Sequence, residues 1–331
     1  MKFKDVVGID VSKSTLDACL HSLEINGCFN NTKAGYRKLI LWATKNTGLS
    51  IDKILICFEH TGLYSFQLAS YLAEKQLNFI IVPGMEIKRS MGIQRGKNDK
   101  VDAQKIALYA FRRKDEITPY QMPEKSLTKL KQLLSLREKL VKQRAGYQAT
   151  LKEQSKFLNK SENKLLFSIP EKLIRQLNKQ INILEQEVDL LLEESPEIKK
   201  IYELIISITG IGRQTALYII VITNNFLLFE NHRKLASYAG VAPFPYVSGV
   251  SIKGKTKVSN LANKRLKSLL SSCAISAICN DPEMRLYYKQ RTEKGIHKMN
   301  TINVVRNKLL ARVFAVVRRG TPYVNIHTFV T

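Results

Sequence analysis

VVGIDVSK, residues 6–13, sets an apolar run against a carboxylate: Val6, Val7 and Ile9 are strand formers, and Asp10 falls where the run ends. The arrangement returns in ILICFEHTG, residues 54–62, where Glu59 closes the run, and a third apolar run occupies residues 79–82. Between these two, residues 63–74 carry apolar positions at helical spacing. Further helices are predicted over about 34–45 and about 100–113, the latter carrying Val101, Ile106, Leu108 and Ala110. Strands alternating with helices predict an α/β domain around a largely buried sheet. Thr118, Pro119 and Pro123 mark its end.

Beyond that boundary the pattern changes. Residues 127–158 and 173–192 repeat Leu, Ile and Val at three- and four-residue intervals among Lys, Glu and Gln, which predicts two long amphipathic helices separated near 168–170. A helical segment packed on its own domain and an oligomerising coiled coil fit this pattern equally. In ITGIGRQTA, residues 208–216, Gly210 and Gly212 form a turn between two apolar helices, as in a helix-hairpin-helix that offers backbone N–H groups to a phosphate. A tight helix connection explains the same residues. The stretch that follows, residues 235–277, reads as a Pro/Gly/Ser-rich loop flanked by helices, in a mainly helical third region.

The chain has 331 residues, enough for more than one core, with 53 Lys and Arg against 28 Asp and Glu and a net charge of +25. A field of that size suits a polyanion, above all a nucleic-acid backbone. Residues 232–319 hold 18 of the cations and 3 of the acids, so the excess is concentrated in the last quarter. Arg306, Lys308, Arg312, Arg318 and Arg319 fall on a helical pattern there and read as backbone contacts, or as one solvated helix face. The five cysteines show no CxxC spacing, and no apolar stretch reaches the length of a membrane span. A reduced cytoplasmic protein without a membrane partner is predicted.

Acids gathered in so basic a chain need a reason. Asp99 and Asp102 in KNDKVDA, residues 97–103, stand three apart at a helix start and face one side of it. Asp10 and Glu59 at strand ends project from the rim of a sheet. Hard oxygens converging from three elements are what Mg²⁺ or Mn²⁺ takes, and two such ions about 4 Å apart hold both oxygens of an in-line phosphoryl displacement. Each acid alone has a plainer role, Asp99 and Asp102 as helix N-terminal acids and Asp10 as a turn cap with Ser12 and Lys13. As a set they favour a metal site for phosphodiester chemistry. GIDVSKSTLDACL, residues 8–20, also resembles the first phosphate loop of actin-like sugar kinases, but the second Asp-Gly turn and the Gly-rich adenosine motif of such kinases are not visible.

In APFPYVSGVSIKGKTK, residues 242–257, Ser248 precedes a glycine and is followed by Lys253, Lys255 and Lys257, with Lys264 and Arg265 further on. A serine hydroxyl is a weak nucleophile unless its proton is removed or the charge on its target is stabilised. The cations would hold a phosphate, and a metal on the acids would activate the hydroxyl if the domains meet. On composition alone a loop serine making turn hydrogen bonds is the plainer reading, and Ser251 and Ser259 are equally eligible.

Taken in order, GIDVSK, FEHTG, KNDKVDA, a helical middle, ITGIGRQTA, LASYAGVAP, YVSG and KVSNLANKRLK resemble the DEDD transposases of bacterial insertion sequences, which are RNA-guided recombinases. The resemblance runs from about residue 6 to 277. It implies an RNase H-like (RuvC-like) N-terminal domain over 1–120, a coiled-coil region over 121–198 and a C-terminal transposase domain over 199–331. It implies that Asp10, Glu59, Asp99 and Asp102 are the metal-binding DEDD set, and that Ser248 is the nucleophile that links covalently to DNA. The implied partners are donor and target DNA and an element-encoded guide RNA. The helical middle would make a homodimer that assembles to a tetramer, with the two domains of different subunits completing one site. His60 departs from the family, where a small residue is more usual after the glutamate, and Ser251 stays a second candidate. The alternative is a RuvC-like, Mg²⁺-dependent junction endonuclease in which water attacks.

Overall fold

The computed structural model describes residues 3–91, 99–248 and 252–324, and at 99–100, 245–248 and 252–257 it describes the backbone alone. The chain divides into two units, Met1–Met122 and Pro123–Thr331.

The first unit is built on β1 (Asp5–Val11), β2 (Thr15–Leu20), β3 (Ile25–Asn30), β4 (Ile54–Glu59) and β5 (Phe79–Val82), with α1 (Lys33–Thr47), α2 (Leu63–Glu74), α3 (Gly84–Ser90) and α4 (Asp99–Arg113). The five strands form one sheet in the order β3-β2-β1-β4-β5. β1 runs antiparallel to β2 and parallel to β4, and β5 continues the parallel side. The apolar runs of the sequence became β1, β4 and β5. β2 and β3 were not anticipated.

Alternation along the strands separates the two faces of the sheet. Val7, Ile9, Ile54, Ile56 and Phe58 join Leu39, Leu68 and Leu72 of α1 and α2 in one core. Val6, Leu55 and Cys57 join Ile87 of α3 and Ile106, Tyr109 and Ala110 of α4 in another. Each fully buried Val, Leu or Ile contributes about 1.5–3 kcal/mol, so the sheet is held from both sides. α4 comes closest at Gly8, where a Cβ would stand 2.2 Å from the Ala107 backbone nitrogen and 2.5 Å from the Ala103 carbonyl oxygen. Further along the helix, the Phe111 ring packs at a tilt against His21, whose backbone amide donates to the Val6 carbonyl. α4 therefore runs antiparallel to β1.

The second unit opens with α5 (Lys125–Phe157) and α6 (Lys164–Glu194), an antiparallel hairpin cross-linked by Lys129–Glu187, Arg137–Glu185 and Lys160–Glu171, each at 2.6 Å. Pro170, expected near the gap between the helices, lies inside α6. The break falls earlier, between Phe157 and Lys164, and Pro170, the seventh residue of α6, leaves the helix without the backbone bond its N–H would have given to the Leu166 carbonyl. Leu127, Leu130, Val188, Leu191 and Leu192 at the base of the hairpin enter the core of the unit. At the far end Phe157, Leu165, Leu166 and Ile169 are exposed.

That core is completed by α7 (Pro196–Ile206), α8 (Arg213–Ile222), α9 (His232–Tyr238), α10 (Lys264–Asn280), α11 (Pro282–Glu293) and α12 (Lys298–Arg319). Between α9 and α10, where the sequence read as a loop, stand β6 (Pro243–Ser248) and β7 (Ile252–Val258), an antiparallel ribbon with an irregularity between Phe244 and Tyr246.

α12 corrects a second expectation. Arg306 is buried, and Arg312 bonds Asp281 and Glu283 at 2.5 Å each, so these two cations belong to the interior rather than to a nucleic-acid face. Asp281 is fully buried and also caps α11 by accepting from the Glu283 and Met284 amides. Asp281→Ala leaves Arg312 with Glu283 alone of its two carboxylates and removes a cap, and is expected to cost about 2–3 kcal/mol, read as a lowered midpoint in urea unfolding. No helix among the described residues is long and apolar enough to cross a membrane.

Candidate active site

Asp10 is two residues beyond Gly8 on β1, so it lies on the same face of the sheet, the one that α4 covers. On β4, Leu55 and Cys57 belong to that face, and Glu59 follows in the same alternation. The register of β1 and β4 ends with the pair Ile9 and Phe58. Asp10 and Glu59 thus leave two adjacent parallel strands side by side. Because α4 runs antiparallel to β1 and crosses Gly8 with Ala103 and Ala107, its first turn, which starts at Asp99 and holds Asp102, extends toward the same end of the sheet. The three motifs are brought to one face and one rim.

Two loops shape this rim. Asn31 is buried, and its side-chain amide donates to the Ser12 carbonyl at 2.8 Å and to the Tyr64 carbonyl at 3.2 Å, tying the turn after Asp10 to the start of α2. Its oxygen accepts from the Tyr36 hydroxyl at 2.5 Å, and burial pushes the Tyr36 phenol upward. The His60 amide donates to the Val82 carbonyl at 3.1 Å, so the chain leaves β4 beside the end of β5. α3 begins there. It is pinned to α4 by Glu86, which accepts from the Tyr109 hydroxyl at 2.5 Å and from Arg113 at 3.0 Å. Burial, then the Glu86 carboxylate, pushes the Tyr109 phenol up to about 12.

Asp10, Glu59 and Asp102 are half-buried. Asp102 pairs with Lys105 at 2.9 Å, and the Asp99 side chain lies outside the described residues. Among the described residues no three His, Cys, Asp or Glu side chains converge closely enough to hold an ion. The donor set is nonetheless of one kind, carboxylate oxygens on one rim, which suits a hard divalent cation and not a site of nitrogen and sulfur. Sequence reading missed a fifth acid: Asp17 on β2 stands directly across from Asp10, on the same face. Its signal was weak because TLDACL does not read as a strand until β1 is placed beside it.

In the second unit Ser248 is the last residue of β6, paired with Ile252 of β7. Its side chain, Gly249, Ser251 and the side chains of Lys253, Lys255 and Lys257 lie outside the described residues. Ser259 is occupied locally, accepting from the Leu261 amide at 3.1 Å. Lys264 is exposed at the first turn of α10, and Arg265 pairs with Glu138 of α5 at 3.4 Å. Gly210, with φ +97°, has Ala277 of α10 where its Cβ would be, 2.7 Å away, which gives this glycine a packing role. Just beyond Gly212, the Thr215 hydroxyl oxygen accepts from the Cys273 thiol at 3.2 Å, and burial pushes that thiol up.

Comparison with known proteins agrees with the motif order. A transposase model of the DEDD type named for IS110 matches residues 7–158, and a second, described as a transposase of the IS116/IS110/IS902 family, matches residues 202–289. The chain is 28% identical over 330 residues to the pilin gene-inverting protein of Moraxella lacunata, covering 97% of this chain and 98% of that protein. A putative transposase of Sinorhizobium fredii is 24% identical, covering 87% and 82% of the two chains. An uncharacterized IS110 protein of Streptomyces coelicolor is 31% identical over 148 residues, 44% of this chain and 35% of its own length. With both family models matched in order across most of its length, the chain belongs to the IS110 family of transposases, enzymes that recombine DNA.

Proposed function

We propose that this transposase cuts and rejoins DNA through the Ser248 hydroxyl, assisted by Mg²⁺ or Mn²⁺ held by Asp10, Glu59, Asp99 and Asp102. The observation that carries the reading is the meeting of Asp10, Glu59 and the first turn of α4 at one rim of one sheet face. When bound, the ions neutralise the charge that develops on phosphate oxygens. The strand order and mixed directions of the first unit support an RNase H-like, RuvC-like reading of it.

In the serine step the Ser248 oxygen forms a bond to phosphorus as the bond from phosphorus to a sugar oxygen breaks. The hydroxyl proton leaves to solvent and the sugar oxygen takes one up. A free sugar hydroxyl of the other DNA then attacks the phosphoserine and restores the serine. Two relatives are named for inverting a pilin gene, an exchange that a bond-conserving cycle of this kind serves well. β7 carries Lys253, Lys255 and Lys257 at alternate positions, Lys253 paired with Val247 and Lys257 with Phe244 while Ser248 pairs with Ile252, and α10 opens with Lys264 and Arg265, so the elements that follow Ser248 are rich in cations suited to phosphate.

An element-encoded RNA guides the choice of donor and target DNA in this reading, and the net charge of +25 suits two nucleic-acid partners. Residues 1–120 hold the metal, 121–198 serve assembly and 199–331 bear the serine in this reading. The exposed apolar end of the α5–α6 hairpin supports its use in dimerisation on the way to a tetramer.

Ser248→Ala tests the nucleophile. With Asp10 intact it is expected to abolish covalent protein–DNA adducts on denaturing gels and to lower strand transfer at least about a thousandfold. Adducts persisting in that variant would move the role to Ser251. Cleavage that persists without adducts would favour water as nucleophile.

A further inference from the structure

Gly84, the first residue of α3, has no backbone reason to be glycine. Among the described residues the left-handed glycines are Gly48, Gly62, Gly210, Gly240, Gly295 and Gly320, and Gly84 is not one of them. Alanine would favour the helix by roughly 0.8–1 kcal/mol in an interior position. What the missing side chain provides is room. A Cβ at Gly84 would stand 1.9 Å from Oε1 of Glu59, 2.3 Å from its Cδ and 2.8 Å from its Oε2, and these are the three nearest atoms. The Glu59 carboxylate occupies the space a side chain would fill.

We propose that Gly84 is a positioning residue for Glu59: its bare backbone sets where the carboxylate rests on the rim, and any larger residue drives the carboxylate away. The proposal rests on the reading of Glu59 as an ion-holding acid. Which partner yields is decided by how each is held. Ile87 buries α3 in the core with Ile106 and Ala110 of α4, and Glu86 ties it to Tyr109 and Arg113. The Glu59 backbone is fixed by its place in the sheet, paired with Val82. The end of the Glu59 side chain is the soft element, and its carboxylate makes no hydrogen bond or ion pair among the described residues. Added bulk at residue 84 therefore moves the carboxylate and spares the fold. Displacements of about 1 Å in a site are costly to function.

The test uses the full chain in four forms: wild type, Gly84→Ala, Glu59→Gln and the double variant. Mn²⁺ binding is read from the electron paramagnetic resonance signal of the free ion, and unfolding by calorimetry. Gly84→Ala is expected to weaken Mn²⁺ binding at least about tenfold with a Tm within about 2 °C of wild type. In the Glu59→Gln background the same change is expected to alter binding less than about twofold, since the ligand it displaces is already gone. Wild-type Mn²⁺ affinity in Gly84→Ala, beside a weakened Glu59→Gln, would overturn the proposal while leaving Glu59 as a ligand. Equal losses in both backgrounds, or a loss accompanied by a fall in Tm above about 5 °C, would overturn it too, because the helix and not the carboxylate would have moved. Undiminished binding in Glu59→Gln has a separate signature: the ligand role of Glu59 fails, and the positioning role with it.

Discussion

Asp10→Asn is expected to lower DNA strand transfer by the full chain at least about a thousandfold, with thermal unfolding within about 2 °C of wild type. Asparagine keeps the size and shape of the aspartate at the half-buried end of β1, so the strand and its pairing with β4 have no reason to change. It removes the negative charge. A neutral amide is a poor ligand for a hard cation beside the remaining acids, and the transition-state charge loses its counterweight. Asp17→Asn is the matched control, since Asp17 lies across from Asp10 on the same face and supplies the same charge to the general field. A thousandfold loss at Asp10 with less than about a tenfold loss at Asp17 identifies a ligand role. Equal losses would reduce both residues to a shared field effect, and a fully active Asp10→Asn would sink the metal reading of the rim.

The parts of this site that could be read from the sequence are those whose pattern is one-dimensional. β1, β4 and β5 are largely buried strands of a sheet covered on both faces, so they appear as continuous apolar runs, and the half-buried acids near the ends of the first two stand out against them. α4 was legible from Val101 to Ala110. β2 and β3 were not, because TLDACL carries an aspartate and INGCFN a glycine and asparagines, and β3 at the sheet edge alternates between half-buried and exposed. The β6–β7 ribbon was hidden by Pro243 and Pro245, which suit a two-stranded ribbon because both strands are edges. Charge misled at Arg306 and Arg312, where the sequence gives the sign of a side chain but neither the burial of Arg306 nor the Asp281 and Glu283 carboxylates that pair with Arg312. Gly84 carries no signal of its own. Its meaning lies in Glu59, 25 positions earlier, and only the pairing of β4 with β5 brings the two together.

Gly8→Val is expected to destabilise the first unit by about 4 kcal/mol or more and to remove strand transfer along with it. The reason is where the added atoms would go. A Cβ at residue 8 meets the Ala107 nitrogen at 2.2 Å, the Ala103 carbonyl oxygen at 2.5 Å and the Ala107 Cα at 2.6 Å, all of them backbone atoms of α4. No side chain can rotate aside, in contrast to Gly84, so the helix itself must lift from the sheet. Ala103 and Ala107 show that the fit is built from both partners: with Cys19 of β2 they form a small buried cluster against the glycine. Lifting α4 exposes Ile106 and Ala110 and draws Asp99 and Asp102 away from Asp10 and Glu59. Stability and chemistry are thus coupled at one residue. Urea unfolding of Gly8→Ala and Gly8→Val measures the first effect, and strand transfer under conditions where each variant is still folded measures the second. Gly8→Ala, with one carbon fewer, should fall between wild type and Gly8→Val on both scales. A Gly8→Val chain with wild-type unfolding would show that α4 does not rest on β1, and the assembly of the acidic rim would then need another cause.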